Sequence, residues 1–213
     1  MNDNENKKLL SQFNKNDVAV IKEEIVWSGF FKMYEIRLRH RLFAGGWSNE
    51  ISRELFHRGQ AAGCVIYDPR HDLVGLIDQF RIGALDSEHG PWCLEVVAGM
   101  LEEGETPEEL ILRELEEEAG VKNPELIPIT SYYSTPGGCS EKINLFCALC
   151  DLSNSGGIHG LDSEDEDIFL HIFPAITVFD VMLRSRLNNA ATLIALQWLQ
   201  LHREELKARF SIE

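Results

Sequence analysis

The hydrophobic and polar positions change their pattern near residue 58. Before this point, three short segments at 18–26, 30–38 and 47–56 carry β-branched and aromatic residues that partly alternate with polar ones. Such alternation, with turns between the segments, is typical of strands that bury one face. The pattern predicts a small antiparallel sheet in an N-terminal domain over residues 1–57.

Beyond this point the apolar runs become more continuous, which indicates the buried strands and helices of a second domain over residues 58–213. Strands are predicted at 61–67, 73–80, 92–97, 131–133 and 144–150. Helices are predicted at 107–119, at 179–187 after Thr177, and from 190 to about 208 after the good capping residues Asn188 and Asn189. With the N-terminal sheet, these elements predict an α+β protein.

The helix at 107–119 has well-defined ends in the sequence. Thr106 is a good N-cap, Pro107 suits the first helical position, and Glu109 completes a capping box. Gly120 is suited to end the helix because it tolerates the left-handed conformation. We therefore expect the helix to run from Pro107 to Ala119.

The same helix has an apolar side and an acidic side. At 100° per residue, Glu114, Glu117 and Glu118 fall within about 100° of arc. The apolar side is predicted to consist of Ile111, Leu112, Leu115 and Ala119. Helical spacing alone favours a solvated acidic stripe, which costs only ~0.2–0.5 kcal/mol per like-charged pair four residues apart.

The wider context changes this interpretation. Residues 99–121 match the string Gly-x5-Glu-x7-Arg-Glu-Leu-x-Glu-Glu-x-Gly-Val at every specified position. Given average residue frequencies, a chance match in a chain of this length is on the order of 10⁻⁶. The string resembles the catalytic box of the Nudix hydrolase family. The resemblance implies an α/β/α sandwich for the larger domain and hydrolysis of a pyrophosphate bond in a nucleoside diphosphate derivative.

The resemblance also implies a divalent metal, Mg²⁺ with Mn²⁺ as an alternative. Carboxylates on one helical face offer the hard oxygen ligands that Mg²⁺ prefers. Arg113 would orient Glu105 and the helix. The metal ligands implied by the family are Glu114, Glu118, Glu117, the Ala98 carbonyl and Glu166.

Charge and cysteine usage restrict the partners and the compartment. The chain has 20 basic and 35 acidic residues, a formal net charge of −15, which argues against a nucleic-acid partner. No segment approaches the ~20 apolar residues of a membrane span, and the first residues do not resemble a signal peptide. The odd number of cysteines, five, suits reduced thiols, so we expect a soluble cytoplasmic protein.

Residues outside the box resemble the bacterial ADP-ribose pyrophosphatases of this family. Pro136 lies fifteen residues after Val121, as in that branch, although a common Pro-Gly turn would look the same. The wider similarity lies in Gln79–Ile82, Glu95–Met100, Gly157–Leu161, Glu164–Ile168 and, near the N-terminus, Gly29–Phe31, Arg39–Phe43 and Arg53–Gly59. ADP-ribose is therefore the expected substrate, with AMP and ribose 5-phosphate as products.

In that family the N-terminal sheet is exchanged between the two subunits of a homodimer. The resemblance then implies that Phe30 stacks on adenine and that Arg53 and Arg81 hold phosphates or adjacent groups. Phe30 fits almost as well as an aromatic residue of the sheet core. Glu141 would contact the terminal ribose region, and the remaining substrate-binding residues would be Pro136 and Gly138 of the preceding loop.

Three carboxylates compete for the role of general base. Glu117 is implied to bind metal, and a metal-bound carboxylate is a poor proton acceptor. The glycine-rich, acidic loop that ends in Glu164 and Glu166 permits movement towards the helix. By itself such a loop is best interpreted as a solvated acidic segment, but the resemblance to the family implies Glu164 as the base and Glu166 as a metal-associated carboxylate.

Two other functions stay open at the level of sequence. A pyrophosphatase for another nucleoside diphosphate sugar, such as GDP-mannose, would resemble this chain in box, dimer and size. A catalytically silent Nudix domain that binds ADP-ribose as a sensor would share the fold, but here every box carboxylate is intact.

Overall fold

The computed structural model describes residues 11–161, 163, 165–184 and 187–210. The chain forms two compact units. One contains the chain up to Arg58 together with Thr135–Ser140, and the other contains Gly59–Ser134 and the chain from Glu141 onward.

The first unit is built on a three-stranded antiparallel sheet. Its strands are β1 (Val18–Ser28), β2 (Lys32–His40) and β3 (Ile51–His57), in the order β1-β2-β3. The third strand begins later than its predicted start at residue 47. Trp47 instead makes a single bridge to Arg41 across a turn that contains two glycines with positive φ.

The apolar side chains of β1 are poorly covered in the single chain. All eleven residues of β1 are exposed, and Val20, Ile25 and Trp27 keep 58%, 52% and 57% of their surface accessible. Because hydrophobic stabilisation scales with the apolar area removed from water, this strand gains little from burial within its own unit.

The loop Thr135–Ser140 belongs to this first unit because it pairs with β3. The Phe56 amide donates to the Gly138 carbonyl at 2.8 Å, and the Ser140 amide donates to the Phe56 carbonyl at 3.1 Å. The His57 ring nitrogen Nδ1 lies 2.9 Å from the Ser140 hydroxyl. These bonds fix the backbone on both sides of Cys139, and Pro136 lies in the same loop.

The second unit contains a mixed eight-stranded sheet. Its main path is β10-β11-β5-β4-β9-β8, while β6 pairs with β5 and β7 pairs with β4. The β4–β9 pair is parallel and the other pairs are antiparallel. The strands are β4 (Gln60–Asp68), β5 (Leu73–Phe80), β6 (Trp92–Glu95), β7 (Val97–Met100), β8 (Glu125–Tyr133), β9 (Lys142–Leu149), β10 (Gly157–His159) and β11 (Ile168–Pro174).

Helices cover both faces of this sheet. On one face α1 (Pro107–Ala119) buries Leu110, Ile111 and Leu115 against the sheet. On the other, α2 (Ala175–Val181) and α3 (Ala190–Phe210) pack in a separate hydrophobic cluster. The expected α/β/α sandwich is thus confirmed. None of the described helices has the length and apolar character needed to cross a bilayer.

The predicted bounds of α1 are confirmed, and so is its capping box. The Thr106 hydroxyl accepts a hydrogen bond from the Glu109 amide, the Glu109 carboxylate accepts one from the Thr106 amide, and Gly120 has a φ of 64°. The predicted apolar side was wrong in one respect. Leu112 is 41% exposed, whereas Leu110 is fully buried.

The predicted helix at 179–187 was also wrong. The structure has α2 at Ala175–Val181, entered directly from Pro174 at the end of β11. The Ala175 amide donates to the Asp72 carbonyl at 2.9 Å, and Ala175 and Val178 are buried. Packing against the sheet therefore starts the helix earlier than the local capping signal at Thr177 indicates. Residues 185 and 186 lie outside the described part of the chain.

Candidate active site

Glu118 is the most deeply buried carboxylate of the acidic group on α1. It is 1% exposed, and its Oε2 accepts a hydrogen bond from the Ala98 amide at 3.2 Å. Burial, and then the negative charge of Glu114, raise the pKa of Glu118 to about 8, against the opposing effects of the Ala98 amide and Arg81. Such a carboxylate is not part of a solvated stripe.

Glu114 lies one turn earlier, against the backbone of β7. A Cβ atom at Gly99 would lie 2.0 Å from Glu114 Oε1, so any larger residue would push this carboxylate from its present position. Burial raises the pKa of Glu114 to about 7, opposed by Arg113 and reinforced by the negative charges of Glu117 and Glu166. The first glycine of the motif thus has a steric role in the site.

Arg113 links the acidic residues of the box. Its Nε donates to Glu105 Oε1 at 3.2 Å, and its Nη1 donates to Glu114 Oε1 at 2.9 Å and to Glu117 Oε2 at 3.0 Å. Glu105 also accepts from the Glu102 amide, and that hydrogen bond is the main cause that lowers the pKa of Glu105. One guanidinium therefore holds the loop before α1 to the helix.

The loop after β10 brings a further carboxylate close to α1. The Gly160 amide donates to the Glu117 carbonyl at 3.2 Å, where the last turn of the helix leaves its carbonyls free to accept. Glu166 raises the pKa of both Glu114 and Glu118 through its negative charge. Glu164, the predicted base, lies outside the described residues.

This arrangement fits a hard divalent cation. Glu114 and Glu118, whose pKa values are raised, lie near the charges of Glu117 and Glu166. Among the described residues, Arg113 forms ion pairs with two members of this cluster, Glu114 and Glu117. Buried like charges of this kind are stabilised by a metal ion with oxygen ligands. Ala98 lies at the cluster through its amide, beside the backbone of Gly99.

A second possible metal cluster lies elsewhere in this unit. Ligand atoms of Asp68, His71 and Asp151 approach within 4.8 Å of one another. Asp68, however, already accepts hydrogen bonds from the Arg70, His71 and Leu152 amides and from the His71 ring. The Asp68 carboxylate is thus accounted for by bonds within the turn between β4 and β5 and by its bond to the Leu152 amide.

Arg81 comes directly after β5 and lies near the acidic cluster. Its positive charge acts to lower the pKa of Glu118, and its Nε donates to Glu95 Oε2 at 2.8 Å. Glu95 is not among the predicted site residues, although an acidic residue at the end of a buried strand is a signal that could have indicated it. Glu141 is buried at the start of the segment that leads into β9.

The remaining predicted substrate residues lie in the first unit. Phe30 is 87% exposed in the turn between β1 and β2, so it is not an aromatic residue of the sheet core. Arg53 is exposed on β3 and donates to the Ser52 carbonyl. Pro136 and Gly138 lie in the loop paired with β3.

The sequence model of a protein family described as the NUDIX domain matches residues 57–209, which is most of the chain. The chain belongs to the Nudix family. The residues that match the Nudix box are those that the fold gathers on α1 and in the segment before it. In this Nudix domain the box therefore supplies the acidic face of the site.

Curated relatives resemble this Nudix protein over almost its full length. An ADP-ribose pyrophosphatase of Escherichia coli (strain K12) is 45% identical over 92% of this chain and 93% of its own. An ADP-ribose pyrophosphatase of Haemophilus influenzae is 40% identical over 93% of each chain. A GDP-mannose pyrophosphatase of Escherichia coli (strain SMS-3-5) is 27% identical over 86% of this chain and 95% of its own.

A solved structure supports the same fold. It is described as an ADP compounds hydrolase and superposes with a TM-score of 0.66 at 20% sequence identity, covering 91% of this chain and 96% of that one. At this level of identity the similarity concerns the Nudix fold.

Proposed function

We propose that this Nudix protein hydrolyses the pyrophosphate bond of ADP-ribose to give AMP and ribose 5-phosphate. The observation that carries the proposal is the pair formed by the buried Glu118 and the partly buried Glu114, held beside Arg113 and Arg81. The choice of substrate is supported by the 40–45% identity to ADP-ribose pyrophosphatases over more than nine-tenths of the chain.

The metal in this proposal is Mg²⁺, with Mn²⁺ as an alternative. Glu114 and Glu118 would hold it, with Glu117, Glu166 and the Ala98 carbonyl as further ligands. When bound, the cation neutralises phosphate charge and lowers the pKa of a coordinated water. The formal net charge of −15 makes such local compensation necessary for an anionic substrate, and it disfavours a nucleic-acid partner.

The protein's own groups supply the remaining steps. Arg113 keeps Glu105, Glu114 and Glu117 in place, and the free edge of the Arg81 guanidinium suits a phosphate oxygen. We assign proton removal from the attacking water to Glu164. Glu164→Gln should lower kcat by roughly 10²–10⁴-fold while ADP-ribose affinity stays nearly unchanged. A larger kcat loss in Glu117→Gln, with Glu164→Gln close to wild type, would contradict this assignment.

Substrate recognition in this proposal involves a homodimer that exchanges the N-terminal domain, residues 1–57. Phe30 would stack on adenine, and its exposed position is compatible with that role. Arg53 would hold a phosphate or an adjacent group. Pro136, Gly138 and Glu141 would shape the region of the terminal ribose.

We further place the protein in the cytoplasm. All five cysteines are free thiols in the structure, and four of them are buried. Unpaired thiols persist in reducing compartments, whereas secreted proteins of similar size commonly pair them.

A GDP-mannose pyrophosphatase is the second candidate, because a relative with that activity in its name covers 86% of the chain. Purified protein should be assayed with ADP-ribose, GDP-mannose and NADH in the presence of Mg²⁺, with identification of both products. We expect AMP and ribose 5-phosphate from ADP-ribose, with the highest kcat/KM. A tenfold higher kcat/KM for GDP-mannose would reject the substrate, and binding of ADP-ribose without turnover would indicate a sensor.

A further inference from the structure

Glu95, the last residue of β6, is held between two donors. Arg81 Nε donates to its Oε2 at 2.8 Å, and Asn189 Nδ2 donates to its Oε1 at 3.0 Å. The Glu95 side chain is only 12% exposed, so solvent contributes little to its orientation. Both oxygens of this carboxylate are therefore fixed by the protein.

Asn189 is itself held by the start of α3. Its Oδ1 accepts a hydrogen bond from the Thr192 amide at 2.8 Å, which makes Asn189 the N-cap of this helix. The Thr192 hydroxyl, fully buried, accepts from the Val96 amide at 3.0 Å. The same helix end thus binds the last residue of β6 and the residue that follows it, and this fixes the Asn189 amide relative to Glu95.

The contact with Glu95 leaves one edge of the Arg81 guanidinium open. Nε is occupied, whereas Nη1 and Nη2 have no protein partner among the described residues, and the side chain is 40% exposed. A guanidinium binds phosphate best with two N–H groups in a fork. Since Arg81 also acts on Glu118, a freely rotating guanidinium could turn towards that carboxylate instead of a phosphate.

We propose that Asn189 is a positioning residue that acts through Glu95 to direct the Arg81 guanidinium towards a substrate phosphate. The inference rests on the proposed function, in which Arg81 binds phosphate. The amide of Asn189 performs two tasks with its two atoms. Its oxygen caps α3 and its nitrogen orients Glu95, so the start of a distant helix determines the geometry of the phosphate contact.

The test uses Asn189→Ser, which keeps an oxygen suited to cap the helix but removes the donor to Glu95. Asn188→Ser is the matched control, because Asn188 lines the same cavity of about 390 Å³ as Asn189 and Arg81 but is exposed and has no hydrogen bond to Glu95. We expect Asn189→Ser to raise KM for ADP-ribose by about three- to tenfold, the scale of one ordinary hydrogen bond, because Asn189 acts on the phosphate only through Glu95 and Arg81. The kcat should change less, and the melting temperatures of both variants should stay close to that of the wild type.

A double-mutant cycle with Arg81→Ala tests whether Asn189 acts through Arg81. Arg81→Ala alone should raise KM, and Asn189→Ser should then add no further increase. Calorimetric titration of ADP-ribose in EDTA, where no turnover interferes, should show the same pattern in the Kd. An unchanged KM in Asn189→Ser, or an equal increase in the Arg81→Ala background, would overturn the inference.

The wild-type assay separates this outcome from a failure of the proposed function. If the wild type does not hydrolyse ADP-ribose, the function is rejected. If it does and Arg81→Ala leaves KM unchanged, the phosphate role of Arg81 fails and the inference fails with it. If Arg81→Ala raises KM and Asn189→Ser does not, only the positioning role of Asn189 is wrong.

Discussion

Glu118 occupies the middle of the helical face that α1 turns towards the sheet. Leu110, Ile111, Leu115 and Ala119 of the same face are buried around it. At 100° per residue, the apolar and acidic sides of this helix overlap, which displaces Leu112 to the edge of the buried arc and to solvent. A buried carboxylate at this place costs stability unless a cation accompanies it.

This cost predicts how stability depends on pH without metal. The pKa of Glu118 is raised from 4.5 in the unfolded chain to about 8, so the folded state binds its proton more tightly. The free energy of unfolding contributed by this group therefore falls as the pH rises from about 4.5 through about 8. In EDTA at pH 8.5, Glu118→Gln should melt at a higher temperature than the wild type, although its turnover should drop by orders of magnitude.

Glu116→Gln serves as the control, because Glu116 lies exposed on the same helix and pairs with Lys122. Its melting temperature should lie near or slightly below that of the wild type. Differential scanning fluorimetry between pH 6 and 8.5, with and without Mg²⁺, measures the effect. If Glu118→Gln melted below the wild type throughout this range, the raised pKa would not describe the metal-free protein.

Local chemistry allowed some elements to be predicted from the sequence more completely than others. The ends of α1 were predicted correctly because each end is set by contacts between residues a few positions apart. Thr106 pairs with Glu109 at the start, and Gly120 bonds to the last turn at the end. The start of α2 was not, because it depends on the Asp72 carbonyl and on burial of Ala175. Signals confined to a turn are visible in sequence, whereas a boundary set by packing between distant segments is not.

The residues of the site also differ in how far the sequence could predict them. The resemblance to the Nudix box predicted the carboxylates and the arginine, and the structure brings Glu105, Glu114 and Glu117 together on Arg113. The link between Asn189 and Glu95 joins residues 94 positions apart, and no local pattern predicts such a pair. The capping tendency of Asn189 was visible, but its second bond was not.

Two glycines, one in β10 and one directly after it, allow an experiment on a single structural element. Gly157 and Gly160 have almost the same φ, 102° and 101°. A Cβ at Gly157 would meet no atom within 4 Å, whereas a Cβ at Gly160 would lie 2.9 Å from the Cβ and carbonyl oxygen of Glu166. Alanine at either position carries similar backbone strain, but only alanine at Gly160 displaces Glu166.

Gly160→Ala should therefore weaken Mg²⁺ activation by about tenfold or more, the lower scale for disturbing groups that orient metal ligands. Gly157→Ala should lower the melting temperature to a similar extent and leave the Mg²⁺ dependence close to that of the wild type. Binding of Mn²⁺ measured by electron paramagnetic resonance, without substrate, gives a readout independent of turnover. Equal metal affinities in the two variants would show that Glu166 does not depend on Gly160.

At the scale of the whole molecule, the first strand of the N-terminal sheet is not covered by other parts of the single chain. Apolar residues such as Val20, Ile25 and Trp27 on β1 remain more than half exposed in the single chain. Small sheets gain stability when a further layer covers an apolar face, and symmetric dimers supply such a layer from the same sequence. The proposed homodimer would use this surface, and sedimentation should give about twice the 24.2 kDa chain mass.

Exchange of the N-terminal domain between subunits can be tested separately from dimer formation, because it places Arg53 of one chain in the active site of the other. Arg53→Ala removes a proposed substrate contact and Glu118→Gln removes a proposed metal ligand, so each variant should be inactive as a homodimer. If Arg53 acts across the interface, a heterodimer of the two variants combines an intact box with an intact Arg53 in one of its two sites, and activity should return to roughly half the wild-type level. Co-expression with two different affinity tags and tandem purification isolates this heterodimer. If Arg53 acted within its own chain, both sites would carry a defect, and the purified heterodimer would stay as inactive as either parent.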